Sequence, residues 1–287
     1  IPARRRDATT QMEIRFSPSL ALDIVDALPH LVESPHGSAE QTLNRFLPAA
    51  IVQKALRDMG WDLDAIREKR ANLGVYAAAK IGEKDPVFDS EEALRLTRDG
   101  MKALQEMQLS DGGWGWFPGE GLHPDAHTTA WVLRGLLTAR DAGIETPERM
   151  VEGALGWLRA HCEREYRRLM SDDPRAAKSR ADNTDALVYH ALSLAGRAHD
   201  GMRDALYRDR AYLSAYGKAL LGMAMHREGR VDEREMLIGN IGQLLRQDRE
   251  NQTAWLELGS GNPWHLWHGS EIETQAAYLK LLTMGGH

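Results

Sequence analysis

Cysteine is nearly missing from this chain: among 287 residues Cys162 is the single thiol. One cysteine excludes an internal disulfide and any zinc cluster built on several thiolates. Long apolar runs are missing as well, and none approaches the roughly 18 residues needed to cross a bilayer, so this segment is not expected to insert into a membrane. Positive charge is in deficit. Lys and Arg number 36 against 42 Asp and Glu, a net charge of −6, which gives no ground for a nucleic-acid or anionic-lipid partner. The one short basic run, Arg4-Arg5-Arg6, reads as a solvated linker. The chain opens Ile1-Pro2-Ala3 with neither an initiator methionine nor a signal-peptide core, so a fragment or processed chain is expected. P-loop, dinucleotide fingerprint and nucleophile elbow are all missing, and no cofactor is expected. What remains is ordinary for a globular protein, with 43% hydrophobic and 27% charged residues, enough for one large core or two modest ones.

Strand patterns are scarce. Residues 11–16 (Gln-Met-Glu-Ile-Arg-Phe) alternate apolar and polar and read as the tail of a preceding β domain. That divides the chain into a linker or strand at 1–16 and a helical domain at 17–287. From there helical periodicity dominates. An apolar stripe of Leu43, Phe46, Leu47, Ala50, Ile51 and Ala55 runs to a stop at Gly60. Further helices are expected at 91–107, with Leu94, Met101, Leu104 and Met107 inward, and at 128–142, stopping at Gly143. Another is capped by Thr146 with Pro147 at its first position. One opens at Asp182-Asn183 and stops at Gly196, and others cover 211–228, 231–249 and 272–284, the last with Ile272, Ala276, Leu279 and Leu282 inward. A polar residue precedes alanine at Thr129-Ala130, Asp185-Ala186, Ser214-Ala215 and Gln275-Ala276. Those alanines are read as small residues that let inner helices pack closely in an array of stacked hairpins. The expected fold is all-α, an α/α toroid of helical hairpins.

Three local motifs stand out. Gly37-Ser38-Ala39-Glu40-Gln41 precedes the first apolar stripe, and Ser-x-x-Gln there is a capping box: the hydroxyl accepts from the backbone three residues on, and the glutamine reaches back. Residues at i and i+3 of a helix start face each other, so side chains at 38 and 41 are within bonding reach. In Gln108-Leu109-Ser110-Asp111-Gly112-Gly113-Trp114-Gly115-Trp116-Phe117 the glycines permit a tight turn, and Trp114 and Trp116 would anchor it as a structural loop. The third, Trp264-His265-Leu266-Trp267-His268-Gly269-Ser270-Glu271-Ile272-Glu273-Thr274-Gln275-Ala276, has Ser270 or Gly269 as a cap and acids in the first turn of the helix it opens.

Isolated chemistry-bearing residues have plain readings. Cys162, late on a helix, reads as a packed thiol. His265 and His268, and His123 and His127 with Asp125 between them, have metal-ligand spacings, yet the first pair precedes a cap and the second is broken by Pro124, so no metal is assigned. Asp111, Asp125, Asp182, Asp185, Glu271 and Glu273 are acids that could pair for glycoside hydrolysis. Asp182-Asn183-Thr184-Asp185 lacks the acid pattern of class II terpene cyclases and reads as a cap.

The first motif resembles the Gly-Cys-x-Glu-Gln thioester site of the alpha-2-macroglobulin and complement family, with Ser38 where that family has cysteine. The second is similar to the Gln-x-x-x-Gly-x-Trp repeat of terpene cyclases, and in its full length to bacterial alpha-2-macroglobulins. The third is similar to the aromatic-Gly-Ser-acidic-Ile-Glu-Thr-x-Ala segment of the same family. The resemblance spans about residues 17–284, with the motifs in family order. It implies a thioester-type α/α toroid among β-sandwich modules of a secreted or periplasmic bacterial protein. That protein would trap target proteases and would be an endopeptidase inhibitor rather than an enzyme. It further implies Gln41 as acyl donor, Glu40 holding the turn, Gly37 flanking, and Trp264, His265, Trp267 and His268 as a lid that keeps water out. Serine at 38 implies a site silent for covalent capture, either through an engineered change or in a natural member that lost the chemistry. In several relatives a histidine relays the acyl group, and residues 163–178 hold none. The alternatives are an α/α-toroid enzyme, terpenoid cyclase-like or carbohydrate-active, and a purely interacting domain.

Overall fold

The computed structural model describes residues 37–65, 68, 87, 89–117, 123–259 and 270–287. Ten helices and one hairpin follow in chain order among these residues: α1 (Ala39–Asn44), α2 (Leu47–Asp58), α3 (Ser90–Met107), α4 (Ala126–Asp141), α5 (Glu148–Leu169), α6 (Asn183–Leu194), α7 (Asp200–Arg208), α8 (Ala215–Arg227), α9 (Val231–Gly242), β1 (Leu245–Asp248), β2 (Thr253–Leu256) and α10 (Glu271–Gly285). The all-α expectation holds. Residues 1–16, the strand read at 11–16 and the start of the helical domain at 17 lie outside the described residues.

Helices α4, α6, α8 and α10 pack side by side in sequence order, while α5, α7 and α9 lie against them from outside. Their burial shows why. In α6 every residue from Asp185 to Ser193 is buried, because neighbours flank it on all sides. In α9 the buried residues are Leu237, Ile238 and Ile241, a single stripe. One continuous core results, with Leu133, Leu136, Tyr189, Leu192, Leu220 and Leu281 at its centre. Helices α1 and α2 sit on α3 and α4. Glycines at 60, 143, 196 and 229 follow helix ends with positive φ, as their reading as stops required.

Several boundaries differ from expectation, each for a local reason. The stripe from 43 to 60 is two helices, broken at Arg45-Phe46, because Pro48 lacks the N–H that would continue the ladder and instead starts α2. Ile51 on that stripe is exposed and Phe46 is buried. Thr146 is not the cap of α5. Pro147 occupies that position without a side-chain bond, and the Thr146 hydroxyl accepts from Arg140 Nε at 2.9 Å. Residues 210–212 form a 3-10 turn, and α8 starts later, capped by Ser214. The helix expected at 231–249 ends at Gly242. β1 and β2 follow as an antiparallel hairpin pairing Leu245 with Leu256, its turn tied by Asp248, which accepts from the Glu250 and Asn251 amides. On α3, Leu94 is exposed. On α10 the inward face is Thr274, Ala277, Tyr278 and Leu281, rotated from the expected one. Ile272 and Leu279 are exposed, as is Ala276, so the small residue packed inward is Ala277.

The loop after α3 clamps α3, α4 and α5 together. Gln108 Nε2 donates to the Gly112 carbonyl at 2.8 Å and to the Met150 carbonyl at 2.9 Å. Trp114 is fully buried, and its indole N–H donates to the Leu104 carbonyl at 2.8 Å. Thr129 on α4 accepts from the Trp114 amide at 2.9 Å. Gly112 has φ +95°, and a Cβ there would overlap the Gly153 carbonyl of α5. Gly143 shares a positive φ of 84° but has nothing within 4 Å of that point. Gly112→Ala is therefore expected to cost about 3 kcal/mol or more, strain plus collision, and Gly143→Ala about 1 kcal/mol from strain alone. Urea denaturation midpoints would read the difference, and equal costs would show that the clamp is not tight.

Candidate functional site

The first motif becomes the N-terminus of α1. Ser38 is the N-cap, with φ −76° and ψ 157°. Its Oγ accepts from the Gln41 amide at 3.1 Å, and Gln41 Oε1 accepts from the Ser38 amide at 3.3 Å. The Thr42 hydroxyl closes the turn by donating to the Ser38 carbonyl at 2.9 Å. The reciprocal cap satisfies amides that a helix start otherwise leaves unpaired. It is nearly shielded from water: Ser38 is 5% exposed and Ala39 1%. Gln41 and Glu40 are half-buried, while Gly37 is exposed, with no atom within 4 Å of where a Cβ would be.

The described parts of the other two motifs converge here. The Ala39 amide donates to the Trp116 carbonyl at 3.4 Å, so the clamp loop that buries Trp114 also ends against the start of α1. Trp116 itself is 43% exposed. From α10 comes Glu273. Burial, then the Glu273 charge, push the Glu40 carboxyl above the usual range, so the start of α10 acts electrostatically on this site. Glu273 also completes the cap of α10, with Ser270 as N-cap. The Ser270 amide donates to Glu273 Oε2 at 2.8 Å, and the Glu273 amide to Ser270 Oγ at 3.2 Å. Two boxes of the form Ser-x-x-Gln and Ser-x-x-Glu thus cap α1 and α10, and the acid of the second acts on Glu40 of the first. Below them, Leu43 packs directly over Gly135 of α4, where a Cβ would collide with its side chain. Trp264, His265, Trp267 and His268 lie outside the described residues.

Chemically, the arrangement holds a buried hydroxyl and a half-buried carboxamide in reach of one another at a helix start. Among the described residues no histidine or carboxylate hydrogen-bonds Ser38, so none of these activates the hydroxyl, and an alcohol without a base is a poor nucleophile. Four of the six acids expected for hydrolytic chemistry are committed elsewhere, and Glu271 is exposed on α10. Asp111 accepts from the Gly113 amide and the Trp157 indole. Asp125 caps α4 through Thr128, and Asp182 and Asp185 form the capping box of α6. His123 is exposed, and His127 stacks on Trp131 at 6.3 Å.

Cys162 is buried within the core, and burial above all pushes its thiol up to about 12. Relative to its ordinary value the thiolate is about 10³-fold depleted. Native Cys162 is therefore expected to resist a maleimide or disulfide reagent that labels it promptly in denaturant. Stoichiometric labelling of the folded chain within minutes would contradict that burial.

The chain is 25% identical over 270 residues to an alpha-2-macroglobulin of Thermotoga maritima, a match covering 94% of this chain and 12% of the relative. Over 150 residues it is 27% identical to thioester-containing protein 1, allele R1, of Anopheles gambiae, covering 52% of this chain and 9% of that one. The chain is homologous to these alpha-2-macroglobulin and thioester-containing proteins. No family model matches it. A crystal structure of a Salmonella alpha-2-macroglobulin mutant shares the fold, with a TM-score of 0.60 at 19% identity, covering 92% of this chain and 15% of that one. The chain thus spans about an eighth of the alpha-2-macroglobulin to which it is similar.

Sequence reasoning missed three sets of residues: Thr129, which brackets the Trp114 backbone; a buried ion cluster around Lys178; and a basic cavity at the far end of the inner helices. Thr129 lay within a noted pair but was read only as a marker of small residues. Lys178, Asp182 and Asp185 are close in sequence, but burial and Glu165 of α5 make them a cluster, and the cavity assembles from separate helices and leaves no local pattern.

Proposed function

We propose that residues 17–287 form the thioester-type α/α-toroid domain of an alpha-2-macroglobulin-like protease trap, following a β-module tail at 1–16, and that its covalent arm is silent because position 38 is serine. The single observation that carries this reading is the reciprocal Ser38–Gln41 cap, seated against the Trp116 carbonyl and within the electrostatic reach of Glu273. The three motifs that resemble the family by sequence are those whose described parts the fold brings together. Glu40 and the α10 cap fix the turn, and Trp264, His265, Trp267 and His268 would cover it.

In this role the domain is part of an inhibitor rather than an enzyme. Its partners are target proteases and neighbouring β-sandwich domains of the longer protein, in a periplasmic or secreted setting. Commitment of Asp125, Asp182, Asp185 and Glu273 to caps and the lack of an activating base at Ser38 among the described residues both argue against the hydrolase and cyclase alternatives. An interaction domain without covalent chemistry is what the serine chain itself would be.

The test is intact-mass and peptide-mass analysis of the chain with and without methylamine, together with challenge of the longer protein by trypsin. The serine chain is expected to keep Gln41 unmodified and to yield no trypsin conjugate linked through Gln41. Methylamide or protease attached at Gln41 would overturn the silent-arm assignment.

A further inference from the structure

At the end of the inner helices remote from Ser38 lies a cavity of about 440 Å³, walled by α4, α5, α6, α8 and α10. Its lining includes Arg134, Arg197, Arg227 and Lys280, with His190 among them. We propose that this cavity is a binding site for a small oxyanion, a molecule carrying phosphate or carboxylate groups, held by Arg134, Arg227 and Lys280 around His190.

His190 gives the strongest reason. It is 3% exposed on the fully packed helix α6, and its Nδ1 has no hydrogen-bond partner. A buried ring nitrogen without a partner costs about 1–3 kcal/mol, so unpaired polar atoms mark places where something else supplies the bond. Burial, then the charges of Arg134, Lys280 and Arg227, hold its pKa well down. All three line the same cavity and act on the ring, and Lys280 in turn is pushed down by burial, Arg134 and Arg227 against the opposing pull of Asp141.

Like charges gathered this way repel, yet none of Arg134, Arg197, Arg227 and Lys280 has an ion pair among the described residues. Arg134 donates to the Tyr216 hydroxyl at 3.3 Å and lies 5.2 Å from the Trp131 ring. Arg227 donates to the Leu194 carbonyl at 3.2 Å. These neutral partners and the partial negative charge at the C-terminal ends of the inner helices hold the cations in place and offset part of their charge, but none is a full counter-ion. Asp141 and Glu152 are the acids on the wall, and Arg140 is already paired with Glu148 at 2.8 Å. The remaining excess is positive. A volume of this size suits a small organic anion, and guanidinium groups suit its planar oxygens. The site is independent of the reading of Ser38.

The full chain would be titrated with inorganic phosphate and with citrate at constant ionic strength, following heat of binding and histidine side-chain ¹⁵N resonances. Saturable binding with movement of the His190 resonances is expected for at least one of them. Phosphate alone would assign phosphoryl ligands, and citrate alone carboxylates. Arg227→Met and Lys280→Met alter exposed side chains and should leave the fold intact. Each is expected to weaken binding about tenfold or more. Lys280→Met should also raise the melting temperature of the unliganded chain by relieving repulsion. Lack of saturable binding, an equal response to chloride, or unchanged affinity in both variants would overturn the proposal.

Discussion

Replacing Ser38 with cysteine is expected to turn the capping box into an acyl donor. Residue 38 and the Gln41 carboxamide are already held together, with Gln41 Oε1 3.3 Å from the Ser38 amide, so little entropy is lost in bringing them to reaction. A thiol at a helix N-terminus ionises far more readily than an alcohol. The introduced sulfur would attack the Gln41 side-chain carbon, form the S–C bond and expel the amide nitrogen as ammonia. Methylamine would then attack the same carbon, giving an N-methylamide at residue 41 and returning the thiol. Hydrolysis would leave glutamate there instead. Peptide mass reads all three products, and Ser38→Cys is expected to show near-complete modification of Gln41 where the serine chain shows none. Adding Gln41→Glu should abolish methylamine incorporation. If Ser38→Cys leaves Gln41 unaltered in the longer protein as well as in this chain, the cap is only a cap and the proposed function fails.

The largest expected loss of stability comes from a cluster that takes no part in that chemistry. Lys178 Nζ lies 2.7 Å from Asp185, 2.8 Å from Asp182 and 3.1 Å from Glu165. The Asp185 side chain is 1% exposed, and those of Lys178 and Glu165 are each 14% exposed. Burial disfavours the Lys178 ammonium, but Asp185 and Asp182 outweigh it and the net shift is upward. Burial first, and then the Asp182 charge, push Asp185 up to about 6. Lys178→Met keeps the length of the side chain and removes its charge, leaving carboxylates facing one another at the start of α6. Breaking such a buried cluster from one side costs about 3–5 kcal/mol. Urea denaturation should show that loss at neutral pH, and Asp185→Asn combined with Lys178→Met should recover part of it. A cost under about 1 kcal/mol would mean that the cluster is solvated in solution.

The N-terminal box was legible because it is local: serine, a three-residue step and glutamine fix their own geometry whatever surrounds them. The same holds for Asp182 with Asp185 and Ser270 with Glu273, and for the glycine stops. The phase of α10 was misread because two apolar stripes, one through Ile272 and Leu279 and one through Tyr278 and Leu281, fit the same helical spacing. Only the position of α8 decides which is covered. The hairpin at 245–256 was missed because β1 continues the apolar rhythm of α9 without a proline to end it.

Sequence by itself therefore determined the caps, the stops, the helical class and the resemblance carried by the motifs, since each rests on residues a few positions apart. Tertiary structure decided that the Trp116 carbonyl seats the start of α1, that Glu273 acts on Glu40, that Lys178 gathers acids from two helices, and that cations from α4, α8 and α10 surround His190. Those groups are brought together by burial of the inner helices against one another, a non-directional force whose outcome depends on the whole chain.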